Sequence, residues 1–185
     1  TKIYIANLGK YNEGELVGEW IDLLFSDDEI NELFCRIKLG KMVDGEYEHG
    51  VEIDGSVYEE FAIHDYETEI EGLKTSEYSN INDLSELVGQ YENLDEYEAE
   101  EVEAILETGD YTLDEAIEKQ NEGSFIYYSG INSFTELAEM FVDDGIFGDT
   151  KNMGNLVNYI DYEALGRDLS FDGYTLTSKG CIIID

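Results

Sequence analysis

The charge of this chain and its uneven placement constrain its fold and its contacts more than any other feature. The 185 residues include 45 Asp and Glu against 10 Lys and Arg, which gives a formal net charge of −35. Residues 42–118 hold 26 of these acids and a single base, Lys74. The resulting field opposes binding to nucleic acid or to an anionic membrane surface, and it attracts basic surfaces.

The composition nevertheless predicts a folded protein. Hydrophobic residues make up 42% of the chain and aromatic residues 12%, so a core is available. No apolar run approaches the roughly 18 residues that a membrane span needs, and the start lacks the layout of a signal peptide. Cys35 and Cys181 lie too far apart in sequence to suggest a disulfide framework or a metal site. These features predict a cytoplasmic protein with reduced thiols.

The N-terminal part has the pattern of a small α/β unit. Alternating apolar residues predict strands over residues 2–8 and 19–25, joined by a Gly-rich turn. Ser26 and Glu29 form the pattern of a capping box, which predicts a helix that ends at Gly40.

A hairpin and three helices are predicted next. Residues 50–67 alternate around Asp54-Gly55, a strong tight-turn signal, and therefore predict a hairpin. Capping patterns then predict three short helices, with Gly109 and Gly123 as C-terminal stops. These helices are predicted over residues 83–91, 95–108 and 113–121.

The last part returns to an α/β pattern. It predicts a strand over 124–129, a helix capped by Ser133, a mostly helical segment over 155–169 and a closing hairpin over 174–185. The whole chain is therefore predicted to be α+β, in three small modules. Their predicted bounds are 1–74 for a sheet-and-helix domain, 75–121 for an acidic helical domain and 122–185 for a C-terminal α/β domain.

The predicted helix 95–108 is amphipathic and its polar side consists of carboxylates. At about 100° per residue, Glu96, Glu100, Glu103 and Glu107 gather opposite the apolar side. Along the axis they stand about 4.5 to 6 Å apart. Like charges at such spacings destabilise a helix by roughly 0.2 to 0.5 kcal/mol per pair, yet no Lys relieves them. We therefore expect an outer, carboxylate-only face.

Three interpretations of this face compete. The first is a solvated polar surface, which would normally mix Glu with Lys. The second is adaptation to high salt, which would lower the number of Lys residues throughout the chain, whereas five of the ten bases fall in residues 1–41. The third interpretation is that the acidic face imitates a polyanion such as DNA. Duplex DNA carries one charge per roughly 1.7 Å of axis, so 35 net charges correspond to about 60 Å of duplex.

Catalytic patterns are weak. His64 and Asp65 are neighbours in an alternating strand and point to opposite faces, which argues against a His–Asp relay. A calcium loop would begin at Asp44, but His49 stands where that loop needs Gly and Gly55 where it needs Glu. We expect neither an enzyme nor a bound metal or cofactor. An enzyme would require a concave pocket with one strongly perturbed carboxylate or His64.

Three segments give the chain a resemblance to a known family. "YIANLGKYNEGELVGEW" (residues 4–20), "EEFAIHDYE" (59–67) and "NYIDYEALGRDL" (158–169) resemble the ArdA antirestriction proteins in both order and placement. ArdA proteins are carried by plasmids and conjugative transposons and are DNA mimics that inhibit type I restriction–modification enzymes. The family forms an elongated, curved homodimer of three small domains per chain, paired through the C-terminal domains.

The resemblance implies two sets of functional residues. The partner would be the methyltransferase core of a type I enzyme, and outer-face acids would take the place of phosphates. These acids would be Glu96, Glu100, Glu103, Glu107, Asp110, Asp114, Glu115 and Glu118. The dimer interface would lie near the family's antirestriction motif, here residues 145–162, and would include Ile146, Phe147, Leu156, Tyr159, Ile160 and Tyr162.

Two alternatives remain open at the level of sequence. One set of residues has a helical spacing that fits core packing as well as a dimer seam: Tyr159, Ile160, Tyr162, Leu165 and Leu169. The acidic surface also suits a protein that mimics DNA toward, or sequesters, some other DNA-binding protein. Compared with the family that the chain resembles, residues 40–58 look like an insertion that lengthens the N-terminal hairpin.

Overall fold

A computed structural model of the chain describes residues 1–148 and 150–184. These residues form two compact units: residues 1–70 with 74–93, and residues 71–73 with the chain from 94 onward. Each unit combines helices with small antiparallel sheets, which confirms the predicted α+β class. The division into three modules stays a prediction. In the two units, the first of the three predicted acidic helices, 83–91, belongs with the N-terminal residues, and the other two belong with the C-terminal residues.

The N-terminal unit contains seven strands and three helices among its described residues. Its elements are β1 (Lys2–Asn7), α1 (Leu8–Asn12), β2 (Gly18–Asp22), α2 (Asp27–Arg36), β3 (Gly40–Val43), β4 (Glu46–His49), β5 (Glu52–Ile53), β6 (Ser56–Val57), β7 (Phe61–Glu67) and α3 (Ile81–Glu92). The main sheet has the order β2-β1-β7, with both neighbours antiparallel to β1. Ile3 and Ile5 of β1 and Leu33 of α2 are buried in this unit.

The helix starts follow local capping chemistry. Both hydrogen bonds of the predicted Ser26–Glu29 capping box are present, which confirms that start. The predicted turn after β1 instead begins with the short helix α1, because the Asn7 side chain accepts a hydrogen bond from the Lys10 amide. Asn80 caps α3 at its N terminus, so the helix begins at Ile81, two residues before the predicted start. Helix ends are the least certain part of a sequence-based prediction.

The predicted hairpin over residues 50–67 is wrong for most of its length. Asp54-Gly55 does form a tight turn, but it joins only the two-residue strands β5 and β6. Residues 61–67 pair instead with β1 as a third strand of the main sheet. A second Asp-Gly turn, at Asp44-Gly45, joins β3 to β4. Both Asp residues have positive φ, as a type I′ hairpin turn requires.

The C-terminal unit contains the remaining elements. These are α4 (Glu96–Glu107), α5 (Leu113–Glu122), β8 (Phe125–Ser129), α6 (Phe134–Asp143), α7 (Tyr162–Phe171), β9 (Thr175–Leu176) and β10 (Gly180–Ile184), with 3₁₀ turns at Thr150–Asn152 and Gly154–Tyr159. The sheet has the order β8-β10-β9, and α4 packs against both α5 and β10. Helices α4 and α5 and the closing hairpin match their predictions, although the terminal Asp185 lies outside the described residues.

The segment predicted to be mostly helical, 155–169, is interrupted. A 3₁₀ turn ends at Tyr159, Ile160 has extended backbone, and Asp161 then caps α7 by accepting from the Ala164 amide. A short polar residue at that position stops one helix and starts another, which apolar periodicity alone does not reveal. No helix among residues 1–148 and 150–184 is long and apolar enough to cross a membrane.

Candidate partner-binding surface

Helix α4 is fixed at its start by local chemistry. Asp95 accepts hydrogen bonds from the amides of Tyr97 and Glu98, and the Glu98 carboxylate accepts from the Asp95 amide. The apolar side of the helix buries Val102, Ile105 and Leu106, as the spacing predicts. The helix itself is therefore set by its own sequence, and its surroundings decide what its carboxylates can do.

The expectation that the carboxylate row faces solvent is wrong for Glu103. This residue is only 5% exposed, and its carboxylate accepts a hydrogen bond from the Lys179 ammonium at 2.6 Å. It also accepts from the Glu71 amide at 3.3 Å. A buried carboxylate needs such partners, because desolvation of an unpaired charge is strongly unfavourable. The sequence pattern identified the polar side of α4 but not the chain segments that cover it.

The two neighbours of Glu103 in the row are also held within the unit. The hydroxyls of Tyr127 and Ser129 donate to Glu100 Oε1 at 2.7 and 2.6 Å. The Ser178 amide and hydroxyl donate to Glu107 at 2.7 and 2.6 Å. Three of the four predicted carboxylates thus fasten α4 to the C-terminal sheet and its turn.

The ionisation of this row follows from its contacts. Hydrogen bonds from the Ser129 and Tyr127 hydroxyls lower the pKa of Glu100. The hydrogen bond to Glu103 raises the pKa of Lys179, and burial raises the pKa of the Tyr127 hydroxyl, which also donates to Glu100. Near neutral pH these shifts favour the charged forms of Glu100 and Lys179 and the neutral, hydrogen-donating form of the Tyr127 hydroxyl.

The remaining predicted acids are exposed. Glu96 is the first residue of α4 and is exposed. The loop between α4 and α5 exposes Asp110, and α5 exposes Asp114, Glu115 and Glu118. Leu113, Ala116 and Ile117 bury the opposite side of α5. The acids are therefore displayed because the apolar residues between them are anchored in the unit.

These exposed acids differ in how far they are engaged. The Glu115 carboxylate accepts from the amide and hydroxyl of Thr112 and completes the capping box of α5, which lowers its pKa. The one base of α5, Lys119, places its ammonium 5.2 Å from the centre of the Tyr111 ring. Asp114 and Glu118, one helical turn apart, form no hydrogen bond or ion pair through their side chains with any residue that the structure describes.

The predicted dimer residues lie around an apolar surface of the C-terminal unit. Ile146, Phe147, Leu156 and Tyr159 are exposed, and Tyr159 is 83% exposed. Ile160 and Tyr162 are half-buried. A cavity of about 250 Å³ beside them is lined by Val142, Phe147, Met153, Ile160 and Leu165. Within residues 145–162, Asp149 lies outside the described residues.

The candidate catalytic groups have structural contacts. His49 bonds to the Tyr47 hydroxyl through Nδ1 and to the Glu59 carbonyl through Nε2, both at 2.8 Å. The His64 ring stacks edge-on against Tyr11 at 4.8 Å. Cys35 and Cys181 are free thiols. The described part of the chain contains no group of three or more His, Cys, Asp or Glu residues placed to hold a metal ion.

Sequence reasoning missed the residues that bind the internal carboxylates. Lys179 and Ser178 lie more than seventy positions from their partners, and Tyr127 and Ser129 lie on a strand whose pattern is ordinary. The only local signal was Lys179 itself, one of four bases after residue 118. A lone base cannot reveal which of many acids it pairs with.

The comparisons with known proteins address the whole chain. A family model described as antirestriction protein (ArdA) matches residues 3–183, which is nearly the full length. No curated protein matches the chain significantly.

Proposed function

The chain belongs to the ArdA antirestriction family, and on that premise we propose that it inhibits type I restriction–modification enzymes as a DNA mimic. It acts without catalysis, in the cytoplasm, by occupying the DNA-binding groove of the methyltransferase core. The exposed carboxylates of α5 and of the loop before it carry this proposal. A basic groove built for phosphates attracts such a surface through the same field that attracts DNA.

The geometry of α5 supports distributed rather than point recognition. Asp114 and Glu118 are four residues apart and stand about 6 Å apart along the axis. Duplex DNA carries one charge per roughly 1.7 Å of its axis, so the acids of α5 alone have a lower charge density than the DNA they would replace. The other exposed acids of residues 42–118 supply more. Each contact is therefore weak by itself, and the sum gives the affinity.

The structure changes which of the predicted acids are proposed to meet the partner. We assign the contact to Glu96, Asp110, Asp114, Glu115 and Glu118, which are exposed. Glu100, Glu103 and Glu107 serve instead to hold α4 against the C-terminal sheet, and α4 in turn supports α5. Both groups are needed, but only the first touches the enzyme.

Charge reversal on α5 tests this assignment. The double variant Asp114→Lys with Glu118→Lys leaves the Glu115 capping contact intact and should weaken binding to a type I methyltransferase core at least tenfold at low salt. The matched control is Glu139→Lys with Asp143→Lys, which has the same spacing on the exposed side of α6. Equal losses in both variants would show that net charge matters and position does not, which would contradict the assignment to α5.

We propose further that the protein is a homodimer paired through the C-terminal unit. The exposed apolar side chains of Ile146, Phe147, Leu156 and Tyr159 support this, because side chains of that size are rarely left together in water. An isologous pairing would place the same surface of both copies in contact. Ile160 and Tyr162 are half-buried, and in such a dimer they would border the seam while also packing within each copy.

A further inference from the structure

A groove in the N-terminal unit runs between the edge of the main sheet and helix α2. It has a volume of about 270 Å³ and is lined by Trp20, Asp22, Leu24, Glu32, Leu33 and Arg36, among others. Strand β2 is the outer strand on this side, since its one partner among the described strands is β1. The Val17 carbonyl accepts from the Asn7 amide of β1, and the Leu23 amide donates to the Thr1 carbonyl just before β1. In this antiparallel register the odd-numbered residues of β2 bond to β1, so the backbone groups of the even-numbered residues between them point away from the sheet.

Leu24, at one end of this groove, has an unusual backbone conformation. Its φ is +80°, in the left-handed region that disfavours residues with a side chain. The other described non-glycine residues with positive φ are Asp44 and Asp54, which precede glycines in tight turns, and Lys38, which follows α2. The Leu24 amide donates to the Ser85 hydroxyl at 3.2 Å, and this contact with α3 holds the backbone in place. A glycine would make the turn after β2 with less strain, yet this position carries a leucine that is 53% exposed.

Trp20 lines the same groove as Leu24 and is the only tryptophan of the chain. It is 42% exposed, and its ring meets Tyr4 edge-on at 5.6 Å, which fixes its orientation. Arg36 also lines the groove and is oriented by the Glu19 carboxylate at 2.8 Å. Trp and Arg are the residue types most enriched at the energetic centres of protein interfaces. A rigid aromatic, a strained exposed leucine and an oriented arginine therefore meet at one unpaired strand edge.

The charge of the groove indicates what it receives. Asp22, Glu29 and Glu32 line it with Arg36 as the one base among its lining residues. The excess of carboxylates favours a segment that carries Lys or Arg, and the free edge of β2 favours an extended backbone.

We propose that this groove docks an extended, basic segment of the partner enzyme, with an apolar side chain inserted between Trp20 and Leu24. The inference rests on the proposed function for the identity of the partner. It adds to the distributed charge contact a discrete apolar contact in the N-terminal unit. Because an apolar contact is not screened by salt, it holds the complex when the charge contribution weakens.

Two variants and one control test the proposal in the full-length protein. Leu24→Gly removes the side chain and relieves the backbone strain, so its Tm should stay within roughly 4 °C of that of the wild type. Trp20→Ala removes the second wall. Each should weaken binding to a purified type I methyltransferase core about tenfold. Leu16→Ala changes a leucine outside the groove that is even more exposed, and it should change the affinity less than about twofold.

The salt dependence distinguishes this contact from the charge contact. The fold-loss of Leu24→Gly should be the same at about 50 and about 200 mM salt, whereas the loss of the α5 double variant should shrink. If the wild type binds and both groove variants bind with the same affinity, the groove is not a docking site, and the DNA-mimic proposal still stands. Absence of wild-type binding at low salt would instead overturn the proposed function. Loss of dimerisation in Leu24→Gly would assign the groove to a second copy and also overturn the inference.

Discussion

The pair of Glu103 and Lys179 shows how a surface-like sequence becomes an interior contact. Glu103 is buried while Lys179 keeps half of its side chain exposed, so water still reaches the ammonium. The carboxylate depends on that ammonium more than the ammonium depends on the carboxylate. The net stabilisation by such a pair is modest, but removal of one partner leaves the other charge buried and unpaired.

Removal of the Lys179 charge should therefore destabilise the protein measurably. We expect Lys179→Met to lower the free energy of unfolding by about 1 to 3 kcal/mol, toward the lower end because water can partly replace the ammonium. Denaturant unfolding measures the change. The double variant with Glu103→Gln should recover part of the loss, since it removes the stranded charge. A loss in the double variant equal to the sum of both single losses would show that the two groups do not interact.

Glu100 adds a pH dependence whose sign follows from its contacts. Its pKa is lowered in the folded protein by the Ser129 and Tyr127 hydroxyls, so the ionised form stabilises the fold. That stabilisation is complete above the unfolded pKa of about 4.3 and is lost as the pH falls through the folded pKa. The stability difference between wild type and Glu100→Gln should be largest near neutral pH and shrink below about pH 4. A difference that grows on acidification would contradict this account.

Close approach of α6 and α7 depends on a single glycine. A Cβ atom at Gly166 would lie 2.6 Å from the backbone carbonyl of Phe134, so a larger residue would force the two helices apart. Leu137, Ala138, Phe141, Leu169 and Cys181 form the core that this contact closes.

The substitution Gly166→Ala should reverse the usual sign of such a change. Alanine in a helix interior normally stabilises by about 1 kcal/mol over glycine, but overpacking costs about 1 to 3 kcal/mol, so we expect a net loss. Thermal unfolding measures it. Gly89→Ala in α3 is the control, because a Cβ there meets only the end of the Leu24 side chain, at 3.3 Å. Similar behaviour of the two variants would contradict a close-packing role for Gly166.

Elements set by short-range chemistry could be predicted from the sequence. The capping boxes that begin α2, α4 and α5 need only residues three positions apart, and all three are present. Pairing of β7 with β1 joins segments more than fifty residues apart, and nothing local in residues 61–67 favoured β1 over the nearer strand. The same limit applies to Glu103, whose partners are distant in sequence.

At the level of the whole molecule, the apolar surface of the C-terminal unit predicts self-association. Leu156→Asp should place a charge in the proposed seam and convert the dimer to a monomer in sedimentation experiments. Val57→Asp, an exposed apolar position in the N-terminal unit, should leave the association unchanged. A monomeric wild type at micromolar concentration would exclude the proposed pairing.

The charge distribution makes much of the surface of the protein strongly negative. Few of the 45 acids form ion pairs within the described part of the chain, and the acids of α5 are exposed without a compensating row of bases. Such a surface repels DNA and is attracted to proteins that bind DNA.

Competition with DNA tests the account most directly. A fluorescent duplex bound to a purified type I methyltransferase core should be displaced by the protein at low salt, with mutually exclusive binding. The apparent affinity of the protein should fall as salt rises, as it does for DNA itself. Formation of a ternary complex of enzyme, duplex and protein, or absence of displacement at low salt, would contradict DNA mimicry as its mechanism.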